Sequence, residues 1–280
     1  MNKKLKFYSP IFIGPILVAF VIVFIIPFIQ GVYLSFCDFT TVDNATPVGI
    51  KNYIKAFADQ DFLNALWFTV KFTVVSVISV NVIAFFIALA LTRKMRGSNF
   101  FRTVFFMPNL IGGIVLGYIW NLIINGVLGM FGVDITYNAS YGFWGLVVLM
   151  NWQMIGYTMV IYIAGIQSIP ASLTEASKID GASYFQNLKS IIIPMIMPSV
   201  TICTFLTLSN SFKLFDQNLA LTNGAPARQT SMLALDIYNT FYATVGEQGM
   251  GQAKAVIFTI IVAAIAFLQI KLTRSKEEQL

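Results

Sequence analysis

The chain has 280 residues, of which 57% are apolar and 11% are charged, and its 18 Lys and Arg against 12 Asp and Glu give a net charge of +6. Soluble domains carry roughly 25% charged residues, so this composition excludes a soluble enzyme, a disordered chain and a nucleic-acid binder with a basic face. With no histidine and only Cys37 and Cys203, the chain cannot build an imidazole metal site, a histidine-based triad or a disulfide framework.

Six runs of the chain are long and apolar enough to cross a bilayer as helices, which takes about 20 residues each. They predict an all-α membrane protein, with one transmembrane domain over residues 1–280 and spans near 11–36, 70–92, 104–128, 143–168, 190–212 and 252–271. The sixth run is the weakest, because Lys254 and Lys271 closely bracket its apolar residues. We expect both lysines to extend toward the membrane surface.

Most of the cations fall at the N-terminus, in the loops after the second and fourth spans, and in the tail. They are Lys3, Lys4, Lys6, Arg93, Lys94, Arg96, Arg102, Lys178, Lys189, Lys271, Arg274 and Lys276. The positive-inside rule therefore predicts that both termini are cytoplasmic. The first run also fits a signal peptide, but a retained signal anchor is favoured because the run exceeds the roughly 7–15 residues of a signal-peptide core and lacks a small-x-small cleavage site.

The segment 170–194, between the fourth and fifth spans, differs from the other loops. Pro170 and Ser172 predict a helix start with Ser172 as its cap, and Gly181 predicts the helix end in a left-handed conformation. A second, amphipathic helix is expected from about Ser183. Two short helices joined at a glycine favour a docking surface for a partner protein; the alternative is a solvated loop with ordinary surface charges.

The same segment resembles the EAA motif of the membrane subunits of ABC importers, which reads Glu-Ala-Ala, three residues, Gly, nine residues and Ile-x-Leu-Pro. The matching residues are Glu175, Ala176, Ser177, Asp180, Gly181, Ala182, Ile191, Ile192, Ile193 and Pro194. Ser177 replaces the second Ala of the motif, and Ile193 replaces its Leu. Further stretches resemble the carbohydrate-uptake branch of this family, which includes maltose, lactose and glycerol-3-phosphate permeases, and together they cover nearly the whole chain.

The resemblance implies a type I ABC importer permease in the bacterial plasma (inner) membrane. Its implied partners are a second permease in a heterodimer, two cytoplasmic ATPase subunits, an external solute-binding protein and membrane lipid. The chain lacks the G-x-x-x-x-G-K-[ST] sequence, so we expect a non-catalytic subunit without a cofactor, with ATP and Mg²⁺ on the ATPase. By resemblance, the residues that couple the permease to the ATPase are Glu175, Ala176, Ser177, Asp180, Gly181, Ala182 and Pro194.

Polar residues within the spans either form hydrogen bonds between helices or line a solute path. They are Asn81, Tyr118, Asn121, Asn125, Asn151, Trp152, Gln153, Tyr157, Thr207, Asn210 and Ser211. Resemblance to the maltose permease places the solute at Tyr157, Thr207, Asn210, Ser211 and Leu214. The implied solute is a sugar or oligosaccharide; the alternative is another neutral or polyol-like solute, such as a glycerol phosphate ester, although the spans offer no cation pair for a strongly anionic one.

Rival functions from other classes need residues that the predicted spans do not supply. An ion-coupled secondary transporter needs ionisable residues at mid-membrane, where the sequence places none. An enzyme needs convergent titratable groups, and a channel needs a ring of carbonyls or charges from a symmetric oligomer.

Overall fold

The structure is a computed structural model that describes residues 13–93 and 96–277, with side chains up to Lys271. Several features of the sequence prediction lie outside the described residues. They are the first two residues of the predicted first span, the cations Lys3, Lys4, Lys6 and Lys94, and the side chains of Arg274 and Lys276.

The described residues are mostly helical. The helices are α1 Ile13–Leu34, α2 Lys51–Ala58, α3 Gln60–Leu91, α4 Ser98–Leu110, α5 Gly113–Gly129, α6 Ala139–Gln167, α7 Ala171–Ile179, α8 Tyr184–Met195, α9 Met197–Phe212, α10 Asp216–Leu221, α11 Leu233–Tyr238 and α12 Gln248–Glu277. Two short strands, β1 Cys37–Asp38 and β2 Thr46–Pro47, pair antiparallel between α1 and α2, with Cys37 opposite Pro47.

Several helix ends lie at residues whose chemistry favours a helix boundary. The Asn138 side chain accepts a hydrogen bond from Ser140 N at 2.8 Å and caps α6. Pro170 immediately precedes α7, where its fixed φ suits a helix start. Gly97 precedes α4 with a φ of 85°, a conformation that side-chain-bearing residues rarely adopt.

Among the described helices, α1, α3, α6 and α12 are each long and apolar enough to cross a membrane. Two bent pairs also qualify if each counts as one span: α4 with α5, bent by 102°, and α8 with α9, bent by 68°. These elements overlap all six runs predicted from the sequence. The third and fifth runs, which the sequence presents as continuous, are therefore each broken into two helices.

The described residues form two compact units. The first contains residues 13–62 and 237–259, and the second contains residues 63–236 and 260–277.

In the first unit, the side chain of Asn52 in α2 holds the segment that follows α1. Its Nδ2 donates to the carbonyls of Ser35 at 3.0 Å and Cys37 at 2.8 Å. Gly249 of α12 lies against the same place, where an added Cβ would come 2.3 Å from the Cys37 carbonyl oxygen. A glycine is therefore required for α12 to approach this segment.

Lys254 of α12 occupies a position that the sequence does not predict. It is fully buried in the first unit, and its Nζ lies 2.6 Å from Asp59 Oδ2 and 2.7 Å from Thr240 Oγ1. The expectation that Lys254 extends toward the membrane surface is wrong, because α12 begins at Gln248 and Lys254 meets the Asp59 carboxylate inside the fold.

The core of the second unit consists of two apolar clusters, and α6 contributes to both. One cluster includes Phe72 of α3 and Leu149 of α6. The other includes Met159 and Tyr162 of α6 with Cys203 of α9. Helix α6 is thus the element around which α3, α9 and the shorter helices pack.

Candidate functional site

A cavity of about 320 Å³ lies within the second unit, beside the middle of α6. Its lining comes from α4, α6, α9, α10 and the turn between α9 and α10. The lining residues are Asn109, Met150, Gln153, Met154, Tyr157, Leu206, Asn210, Lys213, Leu214 and Gln217. The volume is at the lower end of the roughly 300–1,000 Å³ typical of small-molecule sites.

Gly156 allows α4 to contact α6 next to this cavity. A Cβ at this position would lie 1.8 Å from the carbonyl oxygen of Phe105, so the backbone of α4 occupies the space of the missing side chain. The approach places Asn109 Nδ2 3.9 Å from the sulfur of Met154 and brings the Phe106 ring to 6.5 Å from the Tyr157 ring between centroids, with the two planes tilted by 39°.

Two glycines of α5 allow a close approach of α10. Added Cβ atoms would lie 2.7 Å from the Asp216 Cβ at Gly113 and 2.7 Å from the Ala220 Cβ at Gly117. Small residues at helix contacts are typical of membrane proteins, where close backbone packing stabilises association. The contact positions Gln217, whose Nε2 donates to Gln153 Oε1 at 2.8 Å across the cavity wall.

The cavity lining suits a ligand rich in hydroxyl groups. Gln153, Asn210 and Gln217 carry amides that both donate and accept hydrogen bonds, and Tyr157 adds an aromatic ring with a hydroxyl. Asn109 supplies a fourth amide, and Lys213 supplies a cation that the sequence analysis did not assign to the path; the remaining lining side chains are apolar.

Of the solute-path residues predicted from the sequence, Tyr157, Asn210 and Leu214 lie on the cavity wall. Thr207 and Ser211 do not line this cavity, so their place in the solute path stays a prediction. Both are fully buried in helix packing, and the Ser211 hydroxyl donates to the Thr207 carbonyl at 2.8 Å.

Thr207 instead belongs to a polar contact among three helices. Its hydroxyl donates to the Cys203 carbonyl at 2.6 Å and accepts from Asn81 Nδ2 of α3 at 3.3 Å. The hydroxyl of Tyr162 in α6 donates to Asn81 Oδ1 at 2.8 Å. Asn81 therefore joins α3, α6 and α9, which is the interhelical alternative that the sequence left open.

Other polar candidates also form bonds between elements. Asn121 Nδ2 donates to the Leu221 carbonyl at 2.7 Å, and Asn151 Nδ2 donates to Ser79 Oγ at 2.9 Å. Gln153 is the further candidate that reaches the cavity. Sequence reasoning missed Asn109, Lys213 and Gln217 as lining residues.

The loop 170–194 folds as the two helices α7 and α8, and we call it the two-helix loop. Gly181 lies between the helices with a φ of 78°, so its predicted left-handed conformation is confirmed. Ser183 caps α8 through a reciprocal pair of hydrogen bonds with Gln186. The predicted cap by Ser172 is wrong, because Pro170 holds the cap position of α7 and no side chain bonds there.

Ser177, which replaces the second alanine of the motif, joins the two helices of this loop. It is buried, its hydroxyl accepts a hydrogen bond from Asn187 Nδ2, and its carbonyl accepts from Ala182 N at 2.9 Å. A second cavity of about 330 Å³ opens at this joint and includes Asp180 and Gly181 in its lining.

The remaining predicted coupling residues lie mostly on the outside of the two-helix loop. Glu175 and Ala176 of α7 are exposed, and Pro194 of α8 is half-buried. Apolar side chains are exposed beside them, with Ile179 at 86% and Phe185 at 75%. Leu188 of the same helix is buried. Exposed apolar residues grouped with charges are characteristic of protein interaction sites.

Residues 81–275, which contain both the cavity and the two-helix loop, match the family described as binding-protein-dependent transport system inner membrane component. The chain belongs to this family. It is a membrane protein and a permease subunit of a transport system that works with a solute-binding protein.

Relatives of known description match along the full chain. The permease is 45% identical over 100% of both chains to the probable starch degradation products transport system permease protein AmyD of Thermoanaerobacterium thermosulfurigenes. It is 31% identical to the multiple sugar-binding transport system permease protein MsmF of Streptococcus mutans, over 97% of each chain.

The fold also matches a solved structure. A chain of a bacterial ABC transporter involved in the import of the acidic polysaccharide alginate superposes with a TM-score of 0.82, covering 98% of each chain at 17% identity. The predicted all-α fold of an ABC importer permease is thereby confirmed. The cytoplasmic placement of both termini stays a prediction.

Proposed function

We propose that this permease carries a sugar or oligosaccharide across the bacterial plasma membrane, using energy from ATP hydrolysed on separate ATPase chains. The observation that carries the proposal is the cavity beside α6, where amides of Gln153, Asn210 and Gln217 surround an apolar and aromatic surface. Sugar hydroxyls require paired donors and acceptors, and sugar rings stack on aromatic faces such as that of Tyr157. Relatives named for starch degradation products and for multiple sugars support this substrate class.

The transport path would lie along α6 and α9, which meet at the cavity. Polar contacts outside the cavity lining, such as the hydrogen bond between Asn81 of α3 and Thr207 of α9, would keep the helices together as rigid bodies. Movement of one such body against another would open the cavity alternately to the two sides of the membrane. The cavity amides, which are neutral, would bind the solute on one side and release it on the other.

A second permease would complete the path and cover α1. The apolar window of α1 is 0% buried, although Leu34 at the end of the helix packs with Cys37 and Phe39. A helix that is apolar on all sides needs lipid or another protein chain as its neighbour. The full complex would contain two permeases in a heterodimer, two ATPase subunits and an external solute-binding protein.

The two-helix loop would dock on the ATPase. Glu175 is exposed on α7 and suits pairing with a basic residue of the partner, and Ile179 supplies an apolar contact. Asp180 and Gly181 form the bend that lets the backbone approach closely. ATP and Mg²⁺ would bind to the ATPase, so the permease itself would be non-catalytic and hold no cofactor.

Co-purification of the complex tests this coupling role. Glu175→Lys should abolish recovery of the ATPase with the permease, because it places like charges in contact. Asp43→Lys is the matched control, since Asp43 is also exposed but lies between α1 and α2. Equal ATPase recovery with both variants, together with unchanged ATP-driven uptake, would refute the coupling role of α7.

Uptake by the reconstituted complex tests the substrate class. With the solute-binding protein added, vesicles should accumulate labelled maltooligosaccharide in an ATP-dependent manner and should not accumulate glycerol 3-phosphate. The opposite preference would replace the sugar with a phosphorylated polyol and would assign a role to Lys213 on the cavity wall. Membership of a binding-protein-dependent family disfavours an ion-coupled secondary transporter.

A further inference from the structure

The last turns of α3 and the first turns of α8 enclose a groove of about 590 Å³ that the proposed transport path does not use. We call it the arginine groove. The residues lining it are Phe86, Leu89, Ala90, Arg93, Tyr184, Phe185 and Leu188.

The arginine groove has an apolar floor and an aromatic rim. Leu89 and Leu188 form the floor and are each 8% exposed. The rings of Phe86, Tyr184 and Phe185 stand at the edge, each more than half exposed. Three exposed aromatic rings around a buried aliphatic floor offer a binding surface for a hydrocarbon chain.

Arg93 gives the groove a charged end. Its Cζ lies 5.1 Å from the centroid of the Tyr184 ring, a cation–π contact that holds the guanidinium over the groove. Within the described part of the chain, the guanidinium makes no hydrogen bond or ion pair, and no acidic residue lines the groove. Its N–H groups are therefore available to an anion with several oxygens, such as a phosphate.

The order of these groups follows the order of groups in a membrane lipid. Phe86 and Arg93 are seven residues apart on α3, which corresponds to about 10 Å along the helix axis. Phe86 lies within the apolar part of the span, and Arg93 lies just beyond its end at Leu91. An acyl chain and its phosphate would meet Phe86 and Arg93 respectively.

We infer that the arginine groove binds an anionic glycerophospholipid, with the phosphate at Arg93 and the Tyr184 hydroxyl and an acyl chain along Phe86 and Leu89. Basic pockets beside membrane helices at the cation-rich surface are typical anionic-lipid sites. A peptide would instead leave its backbone groups without partners over this largely apolar floor. The inference requires membrane insertion of α3 but does not depend on the identity of the solute.

The bound lipid would bridge α3 and α8, because the groove is built from both. Tyr184 and Phe185 belong to the two-helix loop, so the lipid would hold the second helix of this loop against the end of the α3 span. The consequence for energy coupling rests on the proposed function of this loop, whereas the binding itself does not.

Native mass spectrometry of the complete complex in a neutral detergent tests the inference. Phosphatidylglycerol and phosphatidylcholine with identical acyl chains are added in turn, and inorganic phosphate is added in a parallel unfolding titration. The variants are Arg93→Gln, which removes the charge, and Ala90→Trp, which fills the groove but keeps Arg93. Lys51→Gln is the matched control, since Lys51 is an exposed cation of α2 distant in sequence from the groove.

The complex should retain phosphatidylglycerol in preference to phosphatidylcholine. Arg93→Gln should weaken this retention about tenfold, as expected for loss of one charge-assisted contact, and Ala90→Trp should abolish it. Lys51→Gln should change nothing. Equal retention of phosphatidylglycerol by Arg93→Gln and the unaltered complex would overturn the inference. The absence of any lipid preference in the unaltered complex would also overturn it, and this is the result expected if a protein segment covers the groove. A stabilising shift with phosphate but not with lipid would identify a free-anion site instead.

Discussion

Lys254 and Asp59 form an ion pair with Nζ 2.6 Å from Oδ2, although they lie at opposite ends of the chain. The Lys254 side chain is 0% exposed and that of Asp59 is 25% exposed. The ammonium also lies over the Phe62 ring, 5.4 Å from its centroid. This contact ties α12 to the start of α3 within the first unit.

We expect Asp59→Asn to destabilise the permease, because the buried ammonium of Lys254 loses its carboxylate. The loss should be about 3 kcal/mol, at the lower end of the range for breaking a buried pair, since Asp59 keeps some contact with solvent. The double variant Asp59→Asn with Lys254→Met should be more stable than Asp59→Asn alone, and thermal unfolding of the purified complex measures the difference. Strictly additive losses would contradict the pairing.

Lys55→Gln is the matched control for this pair. Lys55 and Glu247 also form an ion pair in the first unit, but at 3.4 Å and with side chains 44% and 30% exposed. Loss of this exposed ion pair should lower the free energy of unfolding by about 0–1 kcal/mol, because solvent screens exposed charges.

The Lys254–Asp59 pair also predicts that the stability of the protein depends on pH. Partial burial of Asp59 raises its pKa, but the hydrogen bond and charge of Lys254 outweigh that effect, so the pKa lies below its ordinary value. The carboxylate is then favoured by the fold, and its stabilisation is complete above about pH 4 and disappears as pH falls through the lowered pKa. Unfolding midpoints measured between pH 7 and pH 3 should differ between the unaltered protein and Asp59→Asn at neutral pH and converge in acid. A constant difference would contradict this.

Gly156→Ala should lower both stability and transport. Its Cβ would lie 1.8 Å from the Phe105 carbonyl oxygen, so α4 must move away from α6. We expect a loss of about 2 kcal/mol or more in unfolding free energy and weaker uptake, because Asn109 moves away from the cavity. Gly126→Ala in α5 is the control, since an added Cβ there meets nothing within 4 Å, and it should leave both properties unchanged.

The side chain at position 181 should matter through backbone conformation alone. Gly181 has a φ of 78°, and an added Cβ there meets nothing within 4 Å. Gly181→Val should cost about 1–2 kcal/mol locally and reduce ATPase recovery with the complex, whereas Gly181→Asn should be tolerated because Asn adopts this conformation more easily. Equal behaviour of the two variants would show that the bend is not required for docking.

Substitutions of cavity residues and of packing residues on α9 should have different effects on transport and stability. Asn210→Leu should reduce sugar uptake by about tenfold while the complex stays as stable as before, because the amide faces the cavity. Thr207→Val should instead lower the unfolding midpoint, because Thr207 bonds to Asn81. Uptake and thermal unfolding measured on both variants check the assignment, and a reversed pattern would place the solute along the Thr207 face of α9.

Features encoded over short distances could be predicted from the sequence. Six apolar runs are sufficient to indicate an α-helical membrane protein, because a bilayer leaves the backbone few other ways to satisfy its hydrogen bonds. The bend at Gly181 could also be predicted, because the motif around it is contiguous and glycine tolerates a positive φ.

Features that depend on helix rotation and distant contacts were decided only by the tertiary structure. A periodic sequence does not state how an apolar helix is turned about its axis, so it could not show that Thr207 of α9 is buried against Asn81 of α3 while Asn210 of the same helix lines the cavity. The pairing of Lys254 with Asp59 has the same origin. Both arise where residues far apart in the chain come into contact, which no local sequence pattern specifies.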